Sequence, residues 1–294
     1  MARWMDSQQS IKLSHVCAYW RSVALSSPFL WNDMQLPIPC YRDFGARAHP
    51  LPLSVSFDYA ENGDEGHDNL HWLAENSSRM ARLMFVSTGR WSHRIMQSVG
   101  WDLPILHDLV LDHSQIFHQH SDTPLNFPAL RAMSLERSDL PFGPLPKLTE
   151  VYLSCFPHGS PNRRISKVIS LIRDSPLLRA LTVREPDSKG SGQAWLADYE
   201  GGDVVEMTHI ERLDISGIGQ GAIAQLFGAI CIPASAPMIH AISNHPETLV
   251  FDHILNLAGT FYFEVLQVHD EKAGGKPHHH HLSAGLDICH VSVF

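Results

Sequence analysis

Six times the chain writes apolar-x-x-apolar-x-apolar, and a recurring unit constrains architecture more than any single motif does. The units are Met80 to Phe85, Leu106 to Leu111, Leu130 to Leu135, Leu148 to Leu153, Leu178 to Val183 and Ile210 to Ile215. Their starts are separated by 26, 24, 18, 30 and 32 residues. Apolar residues two apart point from one face of a strand into a core, and the earlier one fills the turn behind them. Thr248 to Phe251 (TLVF) reads as a worn seventh unit. Several intervals carry a helical face: Ile165, Val168, Ile169 and Ile172, then Ile223, Leu226, Phe227 and Ile230. Trp91, Ile95 and Val99 are a weaker version. The Pro-rich intervals after Leu111 and Leu135 read as irregular returns. Strands alternating with helices at a repeating interval predict parallel strands on one side, helices on the other, and a curved solenoid.

The unit has the form of the strand part of a leucine-rich repeat, but a ragged one. Ser114, Ser138, Phe156, Pro186 and Ile218 stand where an Asn or Cys normally sits, nine positions in. The side-chain ladder along the turn is therefore expected to be missing. The competing reading is an ordinary α/β enzyme whose strands happen to rhyme.

The second informative stretch is Ser10 to Trp31, SIKLSHVCAYWRSVALSSPFLW. Ile11, Leu13, Val16, Cys17, Trp20 and Val23/Ala24 recur at helical spacing, which predicts a helix from about Leu13 to Leu25. Ser26, Ser27 and Pro28 then stop it and restart the chain, because Pro lacks only an N–H that is unpaired at a first helical position. Phe29, Leu30 and Trp31 follow as an aromatic plug. A hairpin this small cannot bury its own surface and must lean on the chain or on a partner.

The string Ser14-His15-Val16-Cys17-x-x-Trp20-Arg21-x-x-Ala24, with Ser27-Pro28-x-Leu30-Trp31, resembles the second half of the F-box-like domain of fungal F-box proteins. The family's opening Leu-Pro and acidic-hydrophobic helix have no counterpart in MARWMDSQQ, so the first F-box helix reads as missing. The resemblance implies a substrate receptor of a Skp–cullin–F-box ubiquitin ligase. Val16, Trp20, Leu25, Leu30 and Trp31 would meet a Skp-type adaptor, and degenerate leucine-rich repeats would hold a target protein. It also implies a cytoplasmic or nuclear location, and no chemistry performed by the chain itself.

Composition agrees with a folded, soluble interaction protein. A 44% hydrophobic and 18% charged chain of 294 residues has ample core. Its net charge of −9 argues against nucleic acid, which needs a basic face, and against an anionic membrane surface. Apolar runs such as Ala222 to Ile232 fall short of a bilayer span, and no basic-then-apolar signal peptide opens the chain. Five scattered cysteines with no C-x-x-C pair read as reduced intracellular thiols. The expected organisation is a partial F-box-like hairpin over 1–36 and a linker with one strand over 37–66. The repeat domain then covers 67–268, and a flexible His-rich tail covers 269–294. The expected fold class is thus an α/β (α+β) leucine-rich-repeat-like solenoid with a small N-terminal helical hairpin.

Three clusters invite chemistry. Gly217-Ile-Gly219-Gln-Gly221-Ala222 lies between a strand and a helix and fits the G-x-G-x-x-A dinucleotide fingerprint. Gly217, Gly219 and Ala222 would then serve a nucleotide-dependent α/β enzyme, but no acidic residue closes a second strand about twenty positions on. Within a repeat, the same glycines simply turn the chain. His67 and His71, near Asp64, Glu65 and Asp68, have spacing that could grip a divalent metal, as could His107, His113, His118 and His120 among aspartates. Solvated helix ends explain these equally well, and no H-E-x-x-H is present. The expectation is no catalytic, cofactor or metal residue. A binding scaffold that has lost its ligase link, its hairpin merely capping the solenoid, is the alternative to the receptor.

Overall fold

The structure, a computed structural model, describes residues 12, 15, 17–36, 40–58, 67–86, 103–112, 127–138, 143–154, 164–185, 198, 199, 201–218, 220–233, 238–242, 262–267 and 287–292. The chain divides into two units, Met1–Glu150 and Val151–Phe294. The first contains α1 (Ala18–Leu25), a 3-10 turn (Pro28–Leu30), β1 (Asp33–Leu36), α2 (Tyr41–Arg47) and β2 (Leu53–Asp58). It continues with α3 (His67–Glu75), a second 3-10 turn (Ser77–Arg79), β3 (Met80–Val86), β4 (Asp108–Asp112) and β5 (Ala132–Glu136). Strand β6 (Glu150–Ser154) begins at the division. The second unit holds α4 (Ile165–Arg173), β7 (Ala180–Arg184), β8 (Val205–Glu206), β9 (Arg212–Ser216) and α5 (Gln220–Ala229). After these come β10 (Ile230–Cys231), β11 (Met238–Ile242), β12 (Tyr262–Gln267) and β13 (Asp287–Ser292).

In the first unit β1, β2, β3, β4 and β5 pair in sequence order, all parallel. Register follows the period-2 pattern of the sequence. Met34, Val55, Leu83, Leu109 and Met133 align across the five strands, as do Leu36, Phe57, Phe85, Leu111 and Leu135. All ten are buried, and Phe57 stacks on Phe85 with ring centroids 5.0 Å apart. Each such side chain contributes roughly 1.5–3 kcal/mol by leaving water. The opposite face of β4 and β5 is half-exposed, which is why their sequences alternate.

Each unit of the repeat starts from the same turn, set by residues that the hydrophobic pattern alone leaves out. The amide of Leu106 donates to Leu103 O, Leu130 to Phe127 O, Leu148 to Leu145 O, Leu178 to Ser175 O and Ile210 to Met207 O, at 3.0–3.2 Å. In four of the five the second turn residue is Pro (Pro104, Pro128, Pro146, Pro176), whose fixed φ suits that position. The first turn residue is buried in every case. Beyond the turn a single carbonyl accepts two successive amides of the next strand's approach: His107 O from Arg131 and Ala132, Arg131 O from Thr149 and Glu150, Arg179 O from Glu211 and Arg212. Ser138, at the ladder position expected to be empty, is fully buried and donates from Oγ to Leu111 O (3.1 Å) and Glu136 O (2.8 Å).

In the second unit β7, β9 and β11 pair in parallel, with Leu181 and Ile239 flanking Leu213, and Val183 and Ala241 flanking Ile215. Helix α4 buries Ile165, Val168, Ile169, Leu171 and Ile172, and α4 packs beside α5. Strands β8 and β10 form a short parallel pair, and β12 and β13 an antiparallel one.

Two corrections follow. The chain is not a leucine-rich-repeat-like solenoid carrying a separate F-box-like helical hairpin. It is an α/β fold with flanking helices, Rossmann-like in its layering, in which β1 to β5 pair in parallel in the first unit and β7, β9 and β11 in the second. The apolar triplet reports a turn followed by a half-buried strand, and any parallel sheet launched from such turns writes it. The sheet also reaches beyond the repeat, through β1 and β2, which do not carry the full triplet. Nor does the N-terminal stretch stand as a helical domain of its own: Trp31 leads directly into β1, and β1 is a strand of the parallel sheet.

Smaller differences concern single elements. The segment expected as a linker contains α2 as well as the anticipated strand β2. The strand beyond β9 is β11, whereas the worn seventh unit at Thr248 lies outside the described residues, as does the helix expected around Trp91. Most of the expected tail is likewise outside them, but Asp287–Ser292 forms β13.

Phe85→Ala removes the ring that stacks on Phe57 in the central register. It is expected to lower unfolding free energy by about 3–5 kcal/mol, measured by urea denaturation.

Candidate functional site

Helix α1 begins later than its apolar spacing predicts, at Ala18, because Cys17 is extended (φ −159°, ψ 170°) and acts as N-cap. The Cys17 Sγ accepts from the Trp20 amide at 3.5 Å. The helix closes where the sequence says it should. Ser26 N donates to Ser22 O at 3.1 Å, Ser27 N to Ala24 O at 3.2 Å, and Pro28 opens the 3-10 turn. Ser27 occupies the cap position of that turn but makes no side-chain capping bond.

Among the described residues of α1 the buried one is Ala24, which is 2% exposed. Its carbonyl accepts a 2.7 Å hydrogen bond from Nε1 of Trp31. Trp31 is itself fully buried, edge-on to Phe44 of α2 with centroids 4.9 Å apart, and the Arg47 guanidinium lies 4.7 Å from its ring centre. An indole buried with its N–H satisfied loses no hydrogen bond on leaving water.

The rest of α1 faces outward. Tyr19 is 72% exposed, Trp20 49%, Val23 39%, Leu25 43% and Phe29, in the following turn, 74%. Tyr19 and Trp20 meet edge to face at 6.1 Å, so the two rings stand together on the surface. Single exposed apolar residues are ordinary, but five large ones on one short helix and its turn form a patch of the kind that marks an interaction site.

The structure divides the five residues expected at an adaptor. Trp20 and Leu25 are on the exposed patch, and Leu30 is half-buried beside it. Trp31 is withdrawn into the core, where it joins α1 to α2. Val16 lies outside the described residues. Tyr19 and Phe29, the two most exposed aromatics of the stretch, were not among the candidates. Their signal was present: each is an aromatic residue off the stripe that the periodicity assigned to a core.

The glycine motif resolves differently. Gly217 has φ +75°, and a Cβ there would stand 1.7 Å from the carbonyl oxygen of Glu185. The neighbouring Glu185 amide donates to Ser216 O at 2.9 Å. Gly217 is therefore required where the chain leaves β9 against the exit of β7, a demand made without any phosphate. Gly219 lies outside the described residues and Ala222 is buried in α5. Nearby, Asp214 is 9% exposed and accepts from Arg184, and this bond raises the Arg184 guanidinium above its usual value.

Among the described residues no group of three or more His, Cys, Asp and Glu side chains could hold a metal ion. His71 lies 3.3 Å from Glu75 one turn on, and His107 lies 3.4 Å from Asp108. Among the described residues no helix is long and apolar enough to cross a membrane. The chain matches no protein-family model and no curated protein.

Trp31 and Phe29 separate the core role from the surface role. Trp31→Ala is expected to cost about 3–5 kcal/mol of stability, while Phe29→Ala changes it by no more than about 0.5 kcal/mol, both read by denaturant titration. Gly217→Ala forces a left-handed backbone and a clash with main chain. It is expected to lower the melting temperature by several degrees in a thermal scan.

Proposed function

We propose that this chain is a protein-interaction module that binds its partner through the outward face of α1 and the turn after it. The observation that carries the reading is the patch of Tyr19, Trp20, Val23, Leu25 and Phe29, held on a helix anchored on one side by Trp31. Large aromatics that a partner can desolvate are the side chains from which interface energy usually comes. The patch also includes Trp20 and Leu25, two residues that carry the sequence resemblance or its implied contacts.

That resemblance names the partner. The patch would meet a Skp-type adaptor and make the chain a substrate receptor of a cullin–RING ubiquitin ligase, in the cytoplasm or nucleus. The remaining surface would hold the target. Binding, rather than catalysis, is the activity assigned to the chain. A short helix presenting four or five apolar anchors to a groove on another protein is an established mode of recognition, which supports this use of α1.

The test is a titration of the purified chain against a purified Skp-type adaptor. Saturable binding is expected, and the combined Trp20→Ala and Phe29→Ala substitutions should weaken it at least about a hundredfold while leaving the melting temperature in place. Binding that ignores these two residues would remove α1 from the interface. Absence of any binding would dismiss the adaptor as partner.

A further inference from the structure

Helix α4 starts in a basic stretch of an acidic chain. The full sequence carries a net charge of −9, yet no acid lies between Glu150 and Asp174. Within that interval Arg163-Arg164-Ile165-Ser166-Lys167 places three cations in five residues, and Arg163-Arg164 is the sequence's only adjacent pair of arginines. Ser166 follows them in the first turn of α4, half-buried, with Arg164 and Lys167 exposed on either side.

One carboxylate holds this serine. Arg164 occupies the N-cap position of α4 but makes no side-chain capping bond, and the first turn contains no acid. Asp198, 32 residues on, supplies the cap. Its Oδ1 accepts from the Ser166 amide at 3.1 Å and its Oδ2 from the Ser166 Oγ at 2.8 Å. Arg164 Nη1 lies 3.9 Å from the same Oδ2. The next residue, Tyr199, donates from its amide to Gln225 Oε1 of α5 at 3.1 Å. Residues 198 and 199 therefore strap the start of α4 to α5.

We propose that Ser166 is a phosphorylation site for an arginine-directed serine kinase, and that the phosphate displaces Asp198 from α4. Ser166 Oγ bonds to the γ-phosphorus of ATP, the bond to the departing ADP oxygen breaks, and the hydroxyl proton passes to the base of the kinase. Arginines two and three residues before the serine are complementary to a kinase groove lined with acids. The first turn of α4 can open to reach that groove, because helix ends fray. The product cannot keep the Asp198 contact. Its Oγ has no proton left to donate, and a phosphate of nearly two negative charges beside a carboxylate is repelled. The phosphate itself suits the start of α4, where it meets the positive end of the helix dipole and the Arg164 guanidinium. It takes over the cap, and Asp198 leaves. The site is separate from α1 and does not rest on the adaptor reading.

The experiment incubates the full chain with ATP and the catalytic subunit of cyclic-AMP-dependent protein kinase, following incorporation by intact mass and locating it by peptide mapping. The native chain is expected to take one phosphate at Ser166, and Ser166→Ala to take none there. Arg163→Gln combined with Arg164→Gln should lower kcat/KM for the kinase at least about tenfold. After phosphorylation, amide hydrogen exchange in the peptide containing residues 198 and 199 should quicken at least about tenfold, while kinase-treated Ser166→Ala exchanges as it does untreated. The proposal is overturned if Ser166 takes no phosphate, if it does so only after denaturation, if the double arginine variant is modified as fast as the parent, or if exchange at 198 and 199 is unchanged.

Discussion

Five strands of this protein, β4, β5, β6, β7 and β9, are launched by one hydrogen bond, the amide at the fourth position of a turn donating to the carbonyl of the first. Parallel strands cannot be joined by a hairpin, so each must be brought back and aimed by something local. Here the aim is set by a buried first residue, by an exposed Pro after it in four of the five turns, and by a buried Leu or Ile that the turn delivers to the core. The carbonyl that follows then accepts twice from the next approach, at His107, Arg131 and Arg179. Register between neighbours is fixed before the strand proper begins. The pairings of Leu109 with Met133 and of Leu111 with Leu135 in the two buried rows follow from that alignment.

The same dependence explains which elements the sequence made legible. Strands β3, β4, β5, β6, β7 and β9 were readable because each carries apolar residues at fixed offsets behind a turn. Helices α4 and α5 were readable from their spacing. Helix α2 was passed over although Tyr41, Phe44, Gly45 and Ala48 mark one buried face at helical spacing. The window is a single short stretch, and one of its four signals is a glycine. β1 was hidden in the same way: Met34 and Leu36 alternate correctly, but two apolar positions do not distinguish a strand from an extended exit.

Architecture was the harder inference, and it failed for a physical reason. A strand's sequence records which face is buried and what sits behind it, not how the strands are collected. An α/β sheet with flanking helices and a solenoid make the same local demand on a Leu-x-x-Leu-x-Leu segment. At the candidate site the difficulty was orientation. Trp20 and Trp31 look equivalent on a helical wheel and its extension, yet Trp31 is held inward by the Ala24 carbonyl, by Phe44 and by Arg47. Those partners are seven, thirteen and sixteen residues away, beyond the reach of periodicity. The glycine motif misled in the converse sense, because a contact with Glu185 from another strand determines Gly217.

Trp31 leaves α1 in an unusual position for a helix of a folded protein. It is secured along one line while Tyr19, Trp20 and Phe29 remain in water. An unaccompanied chain therefore carries, in its native state, the kind of surface by which folding assistants and degradation machinery recognise unfinished proteins. On the proposed function, its abundance in a cell would follow the supply of the partner that covers α1. Chains made in excess of that supply would be removed as orphans, without any change in their own fold.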